Sequence, residues 1–534
     1  MKKMRRGIPF ILSLLLVFGT AGCQKKENSA SIDMSNEKVL TETTLPISKE
    51  GITLTIWAEN RSQGYVKSYN DFEAFRILAE KTGVTLDFKH PTGSAKEQLG
   101  VMLASGDLPD IIYPGGWRNY KQEVENGVFL TLNEQIEKWA PNFRKVLENP
   151  TYADVYNSIY GGKQVAFPML ADDEKFLCFN GYFIRQDWLD KVNLSVPTTI
   201  EEWETVLRAF VNNDLNENGE KDEIGFSTLK EMTASNAVFM PCFDLQCYSY
   251  YLSPTTGKIT HAILEPGFKD YIKTINRWYS DGLINDNYLN TQGKELDAMV
   301  LNDQVGAFHC DNNNSMPKYL QANPDIKLTA VPYPVSSDGK SHTAMGPMVR
   351  NWAAMITKNC KHVKEAVQLL DYFYSPETSD LMNWGVEGES YTVSSDGSKK
   401  FTDAIMKNPD GKTPYEAICK YMTNTGFVGF NQYKAAAALE DQLSPEIKKV
   451  KSDSVTYMSE ADKSWGLPDF YTTVEEDKQI SAMSADLNTY LEEMYSKLIM
   501  GVEPLEHMDS FIATAKEMGI EKIIEIKQAA YDRK

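Results

Sequence analysis

Beyond its first two dozen residues, this chain has no apolar run long enough to cross a bilayer, which takes about 20 residues. It has little cysteine, seven in 534 residues, which excludes a disulfide-stapled scaffold. Histidine is scarcer still, with six, and no two-plus-two Cys/His pattern at zinc-ligand spacing occurs. Positive charge is in deficit. The 55 Lys and Arg face 74 Asp and Glu, a net charge of -19, with no basic patch. Nucleic-acid binding needs clustered cations to displace counterions, so that class is set aside. No repeat of fixed period appears.

Catalytic signatures are missing too. There is no HExxH helix and no GxSxG elbow. Gly411-Lys412-Thr413 and Gly339-Lys340-Ser341 end like phosphate-binding loops, but the glycine needed five residues earlier is Met406 or Pro334. Glu387 and Glu389 could be imagined as a glycosidase pair, yet nothing on a loop fixes their spacing. Asp172-Asp173-Glu174 reads as a solvated acidic stretch. An enzyme is not expected.

What is present begins with a leader. Lys2, Lys3, Arg5 and Arg6 precede an apolar run from Ile8 to Phe18, then Gly19-Thr20-Ala21-Gly22 and Cys23. The run has the length of a signal-peptide core. Cys23 after Ala21-Gly22 resembles a lipobox cysteine, which carries a membrane-anchoring lipid; Thr20 departs from the usual Leu. Residues 1–23 are therefore expected to be a lipoprotein signal peptide. Residues 24–50 are polar and without periodicity, as in a disordered tether.

The body alternates strand and helix. Ile52–Ala58 reads as a strand, 70–81 as a helix, Val84–Phe88 as a strand, 95–104 as a helix and Ile111–Tyr113 as a strand. That order predicts a parallel sheet with helices on its faces. Ligands bind such sheets beyond the carboxyl ends of the strands. A second unit starts after Phe167-Pro168. Thr199 with Glu202 forms a capping box for a helix whose stripe is Ile200, Trp203, Leu207 and Phe210. Trp188, Trp203 and Trp278 read as core. The last third is rich in helical patterns. Six cysteines follow Cys23, of which only Cys242 and Cys247 are close enough in sequence to suggest a disulfide; buried thiols are the competing reading.

Arg185-Gln186-Asp187-Trp188-Leu189-Asp190-Lys191, followed by Val196-Pro197-Thr198-Thr199-Ile200-Glu201-Glu202-Trp203, resembles family-1 extracellular solute-binding proteins, the receptors of ABC sugar importers. Gly161 to Pro168, Asp281-Gly282-Leu283-Ile284, Val331-Pro332-Tyr333-Pro334 and Ser375-Pro376-Glu377 are similar to further pieces of that group, in order. Ala529 to Arg533 is similar to the tails of the long Firmicute-type lipoproteins of this group, and the chain also resembles alginate-oligosaccharide-binding members. The resemblance implies a two-lobed, periplasmic-binding-protein-like (type II) α/β fold with a helix-rich C-terminal region. It implies lobe I from 51–170 with 303–370 and lobe II from 171–302 with 371–534. It also implies a monomeric receptor on the outer face of a Gram-positive cell membrane, held by its lipid, that delivers an oligosaccharide to a permease. A secreted carbohydrate-active enzyme and a partner of a membrane sensor kinase stay open as alternatives, as do a peptide or other solute as ligand.

One loop points to calcium. Asp214, Asn216, Asn218 and Asp222 match positions one, three, five and nine of an EF-hand loop, with Gly219 sixth. Position twelve is Gly225 instead of Glu, so Glu223, with Glu220 nearby, is expected to complete a variant site holding a structural ion. A solvated Asn/Gly turn is the competing reading.

A sugar offers hydroxyl rims and flat CH faces, so its site wants aromatic platforms with acidic or amide groups. Trp57, Glu59, Tyr113, Trp117, Asn351, Trp352, Trp384, Glu387, Tyr391 and Trp465 sit at strand ends or in expected loops. Core packing competes with each aromatic. Arg118 and Arg350 could pair with an acidic sugar, though ordinary salt bridges are the expectation.

Overall fold

Strand β1 (Ile52–Ala58) forms because its alternate residues Leu54, Ile56 and Ala58 are apolar and fully buried. β2 (Val84–Lys89) and β3 (Ile111–Tyr113) pair parallel to it on either side. The helices between them, Glu73–Thr82 and Ala95–Ser105, each stop at a glycine in the left-handed region, Gly83 and Gly106. The expected β-α-β-α-β order is thus present. The computed structural model describes residues 34–533 except 63, 231–237, 314, 324, 344–345 and 441–442. Cys23 and the leader lie outside the described residues. A short unit ends at Asn36 and a large one begins at Glu37; every strand and helix given below belongs to the second.

The chain continues through β4 (Phe167–Ala171), β5 (Asn180–Arg185), β6 (Ile224–Thr228), β7 (Tyr250–Leu252) and β8 (Ile259–His261). Then come β9 (Val305–Asp311), β10 (Leu328–Val331), β11 (Val349–Ile356), β12 (Tyr391–Val393), β13 (Lys399–Phe401) and β14 (Gly429–Asn431). Ten of these build two main sheets. The first has six strands in the order β14-β4-β11-β3-β1-β2, with β11 antiparallel to both neighbours. The second has four, in the order β10-β5-β9-β6, and only β6 and β9 run parallel.

Sheet membership differs from the expected division. β9 and β10, which the sequence reading grouped with the first unit, pair through β5 in the second sheet. β14, grouped with the second, pairs with β4 in the first. The reason is that the partners of these strands lie far away in sequence, so periodicity assigns a strand but not its neighbour. The tether also ends early. Glu37 accepts from the Trp139 indole at 2.9 Å and pairs with Lys364 at 2.6 Å. Leu40 and Ser48 donate backbone bonds to the carbonyls of Lys138 and Thr82. Gly83 lets Ser48 approach, since a Cβ there would collide with the Ser48 carbonyl. A polar, aperiodic segment is ordered here by hydrogen bonds to the body, a feature composition does not register.

Around the second sheet the helix Ile200–Val211 carries the expected capping box. Thr199 Oγ accepts from Glu202 N, and the Glu202 carboxylate accepts from Thr199 N, both at 3.2 Å. Trp188, Trp203 and Trp278 are fully buried as expected, each contributing about 2–3 kcal/mol of apolar burial. The C-terminal helices Val474–Ile499, Met508–Glu517 and Ile520–Tyr531 extend this same core through Leu487, Leu491, Phe511 and Ile523. All six cysteines that are described are free thiols, so Cys242 and Cys247 form no disulfide. Among the described residues no helix is long and apolar enough to cross a membrane.

Candidate functional site

Three segments carry the chain between the sheets. Residues 172–179 join β4 to β5, 332–348 join β10 to β11, and 432–444 lead from β14 to the helix Pro445–Glu460, which packs on β5 and β10. A cavity of about 340 Å³ opens beside these crossings. Phe176 and Phe179 come from the first crossing, Arg350 from β11, Tyr433 from the third, and Lys451 and Val455 from the helix. Arg61 enters from beyond the carboxyl end of β1, and Asp311 from that of β9. A more open groove of about 720 Å³ runs between 154–161 and Pro468–Tyr471, but it touches neither sheet.

A smaller cavity of about 150 Å³ adjoins the first through Phe179, which lines both. Its wall includes Gln246, His309 and His342, exposed by only 3, 2 and 0 %. Both amide atoms of Gln246, Nδ1 of His309 and Nδ1 of His342 are buried without a hydrogen-bond partner. Burial pushes the His309 imidazole down to about 3, so it is neutral and can donate from one nitrogen and accept at the other. His342 is fixed from behind. Its Nε2 lies 2.9 Å from Asp338, and the Trp465 ring stacks on it at 3.5 Å. Unpartnered buried polar groups cost about 1–3 kcal/mol each, so this wall is poised for hydrogen bonds from something else.

On the first-sheet side three guanidinium groups gather. Arg118 donates to both Asp469 oxygens at 2.6 Å and to the Val349 carbonyl. That is the salt bridge expected of it. Arg61 lies 4.5 Å over the Trp352 ring, and Arg350 4.8 Å over Phe179. Trp352 comes this close to the backbone because position 115 is glycine; a Cβ there would sit 2.9 Å from the ring.

The model of the bacterial extracellular solute-binding proteins matches residues 65–379, more than half of the chain. The chain belongs to that family. The solute-binding family is one of receptors and not of enzymes, as the sequence reading expected. A curated relative is the fructooligosaccharide ABC transporter substrate-binding protein FusA of Streptococcus pneumoniae, 24% identical over 96% of this chain and 95% of its own length. Among solved structures, the alginate-binding protein AlgQ2 without calcium ion has a TM-score of 0.71 at 23% identity, covering 91% of this chain and 99% of that one. An EF-hand mutant of FusA in complex with fructo-nystose gives 0.70 at 22% identity, covering 90% and 99%. These likenesses establish the two-lobed solute-binding fold, with its helix-rich C-terminal region.

The residues singled out from sequence fall unevenly on this solute-binding frame. None of the ten ligand candidates lines either cavity. Trp57, Tyr113 and Trp117 are buried in the first sheet's packing, and the Trp117 indole donates to the Arg350 carbonyl at 3.0 Å. Trp384 and Tyr391 are buried beside the β12–β13 hairpin, with the Trp384 indole on Gln432 at 2.8 Å. Glu387 and Asn351 are exposed, and Glu59 is half-buried near the end of β1. Only Trp352 and Trp465 stand one layer behind, supporting Arg61 and His342. Large aromatics at strand ends were drawn inward because the sheet's own core claimed them. The residues that do line the cavities are smaller signals in sequence: Arg61 two places after Glu59, and His309 inside an apolar strand.

The loop after Ile200–Val211 takes the shape its sequence suggests. Asp214 accepts backbone bonds from Asn218 at 3.1 Å and Gly219 at 3.0 Å. Glu217 and Gly219 adopt positive φ of 59° and 79°. The amides of Asn216 and Asn218 both donate to Asp222, at 3.0 and 3.1 Å, and Glu223 accepts from Leu215 N at 2.8 Å. The Glu220 side chain is exposed. Asp222, Asn216 and Asn218 therefore converge, with Asp214 closing the turn. Among the described residues no cluster of three or more His, Cys, Asp or Glu side chains is set to hold a metal. A calcium site here would depend on amide and carbonyl oxygens beside the carboxylates, which suits a hard cation.

Proposed function

We propose that this chain is a lipid-anchored extracellular receptor that binds an oligosaccharide between its two lobes and delivers it to an ABC permease. The lobes follow the sheets: 51–171 with 349–431 form one, and 180–331 with 445–533 the other. The cavities lie where the chain passes between them, which is where closure by a hinge would trap a ligand. One observation carries the reading. Gln246, His309 and His342 present buried and unpartnered polar atoms to a cavity of about 150 Å³. Hydroxyl groups, which donate and accept at once, answer such atoms without bringing charge. FusA, named for fructooligosaccharides, supports an oligosaccharide as the ligand. The lipid would be carried by Cys23, and the streptococcal relative supports a Gram-positive cell surface.

A structural calcium ion belongs to the same reading. Asp214, Asn216, Asn218, Asp222 and Glu223 would hold it, once the two Asn amides turn their oxygens inward. Its role would be to fix the loop between helix and β6, since it stands on the second lobe away from the cavities. Two fold neighbours support it by their descriptions, one an EF-hand mutant and the other a protein without its calcium ion.

The receptor reading is tested by thermal shift of the mature protein against a panel of neutral and acidic oligosaccharides. A ligand bound only by the folded state raises the melting temperature, by about 2.7 kcal/mol of stabilisation at a hundredfold excess over Kd. The ligand is expected back unchanged on chromatography. No shift with any glycan, or cleavage of the one that binds, overturns it.

A further inference from the structure

Arg61 and Arg350 leave the larger cavity with positive charge that the protein does not neutralise. Of the three guanidinium groups gathered there, Arg118 alone has a carboxylate, Asp469. Among the described residues no Asp or Glu pairs with Arg61 or Arg350. Arg61 Nη1 is buried and without a hydrogen-bond partner. Burial, with Arg61 and Arg118 close by, lowers the Arg350 guanidinium to about 10. The Arg61 guanidinium lies over the Trp352 ring and that of Arg350 over the Phe179 ring, contacts that supply no counter-charge. Both line the 340 Å³ cavity. Of the cavity's carboxylates, Glu440 is taken by Lys451, and Asp311 stands on the other sheet at the end of β9.

This is an unusual arrangement in a chain with 74 acidic side chains and a net charge of -19. Desolvated like charges raise each other's energy, and a half-buried guanidinium without a counter-ion is costly to keep. Two such groups facing one cavity suit a ligand that brings the missing charge. The guanidinium fork matches a carboxylate with two parallel N–H···O bonds.

We propose that the ligand is an acidic oligosaccharide, one bearing uronic-acid carboxylates, and that Arg61 and Arg350 receive a carboxylate while the Gln246, His309 and His342 wall takes hydroxyls. This rests on the receptor reading and names its substrate class.

The test is calorimetric titration of the mature protein with oligogalacturonate, alginate and glucuronate-containing oligosaccharides, each beside its methyl ester, and with neutral fructo- and galacto-oligosaccharides. An acidic member is expected to bind at least about tenfold more tightly than its ester, with an affinity that falls as salt rises. Arg61→Gln is expected to weaken the acid by about tenfold and to leave the ester nearly unchanged, with Arg61→Lys between. Arg350→Gln should do the same where circular dichroism shows it folded; the Arg61 series and the salt dependence decide if it is not. A neutral sugar bound in preference to every acid, or an acid whose affinity ignores Arg61→Gln and salt, overturns the acidic assignment and leaves the receptor reading standing. Binding of no panel member overturns both.

Discussion

His309 shows what burial does to a single side chain. It sits in β9 with its ring 4.7 Å from Tyr182, and burial holds its pKa near 3. His261, in β8, is held near 3 by the same cause. The folded chain keeps both neutral, whereas unfolded histidine titrates near 6.5. As pH falls below 6.5, the unfolded state takes up protons that the folded state refuses, and stability falls until the folded pKa is reached. Above 6.5 neither state binds the proton and the term vanishes. Each histidine adds a slope of up to about 1.4 kcal/mol per pH unit. His309→Gln is therefore expected to flatten the stability profile between about pH 4.5 and 6.5 by one proton relative to wild type. Urea denaturation across that range measures it, and equal slopes would refute it. Glu204 illustrates the opposite balance. Burial would raise it, but hydrogen bonds from Trp278, Arg208 and Arg277 outweigh that and bring it to about 2.

At the scale of elements, the loop 214–223 is a small device whose worth can be measured. Its Asn216 and Asn218 amides now bridge to Asp222, where a cation would take oxygens instead. Adding calcium to chelator-treated protein is expected to raise the melting temperature by a few degrees, and Asp222→Asn to abolish the rise. A wild-type melting curve indifferent to calcium and chelator would remove the ion from the account. Element positions were largely legible in the sequence. The capping box of Ile200–Val211 is local chemistry, and local chemistry survives folding unchanged. β1, β2 and β3 lie where alternation placed them. What the pattern did not carry was pairing: β9 and β10 chose β5, and β14 chose β4, through contacts distant in the chain.

For the whole molecule, attachment and capture are separate matters. Replacing Cys23 with serine is expected to release the protein into the medium while leaving its sugar binding intact, read by fractionation of cells and by titration of the released protein. Retention on the membrane would refute the anchor at Cys23. On the proposed reading, capture would use the crossings at 172–179, 332–348 and 432–444, beside which Arg61 and Arg350 line one cavity with Lys451 and Val455 of the helix Pro445–Glu460 and Asp311 of β9.

The sequence by itself determined the family, the alternation of strand and helix, the capped helix and the acidic loop, because each is written in short local patterns. It named Arg350 as a group that could pair with an acidic sugar, though an ordinary salt bridge was the expectation. The tertiary structure alone decided which side chains face the cavities. Trp57, Tyr113, Trp117 and Trp384 were drawn inward by the apolar area they bury, and the wall fell to Arg61, Gln246, His309 and His342. Whether a polar group keeps a partner or is left facing a cavity depends on residues hundreds of positions away, as with Arg118 and Asp469.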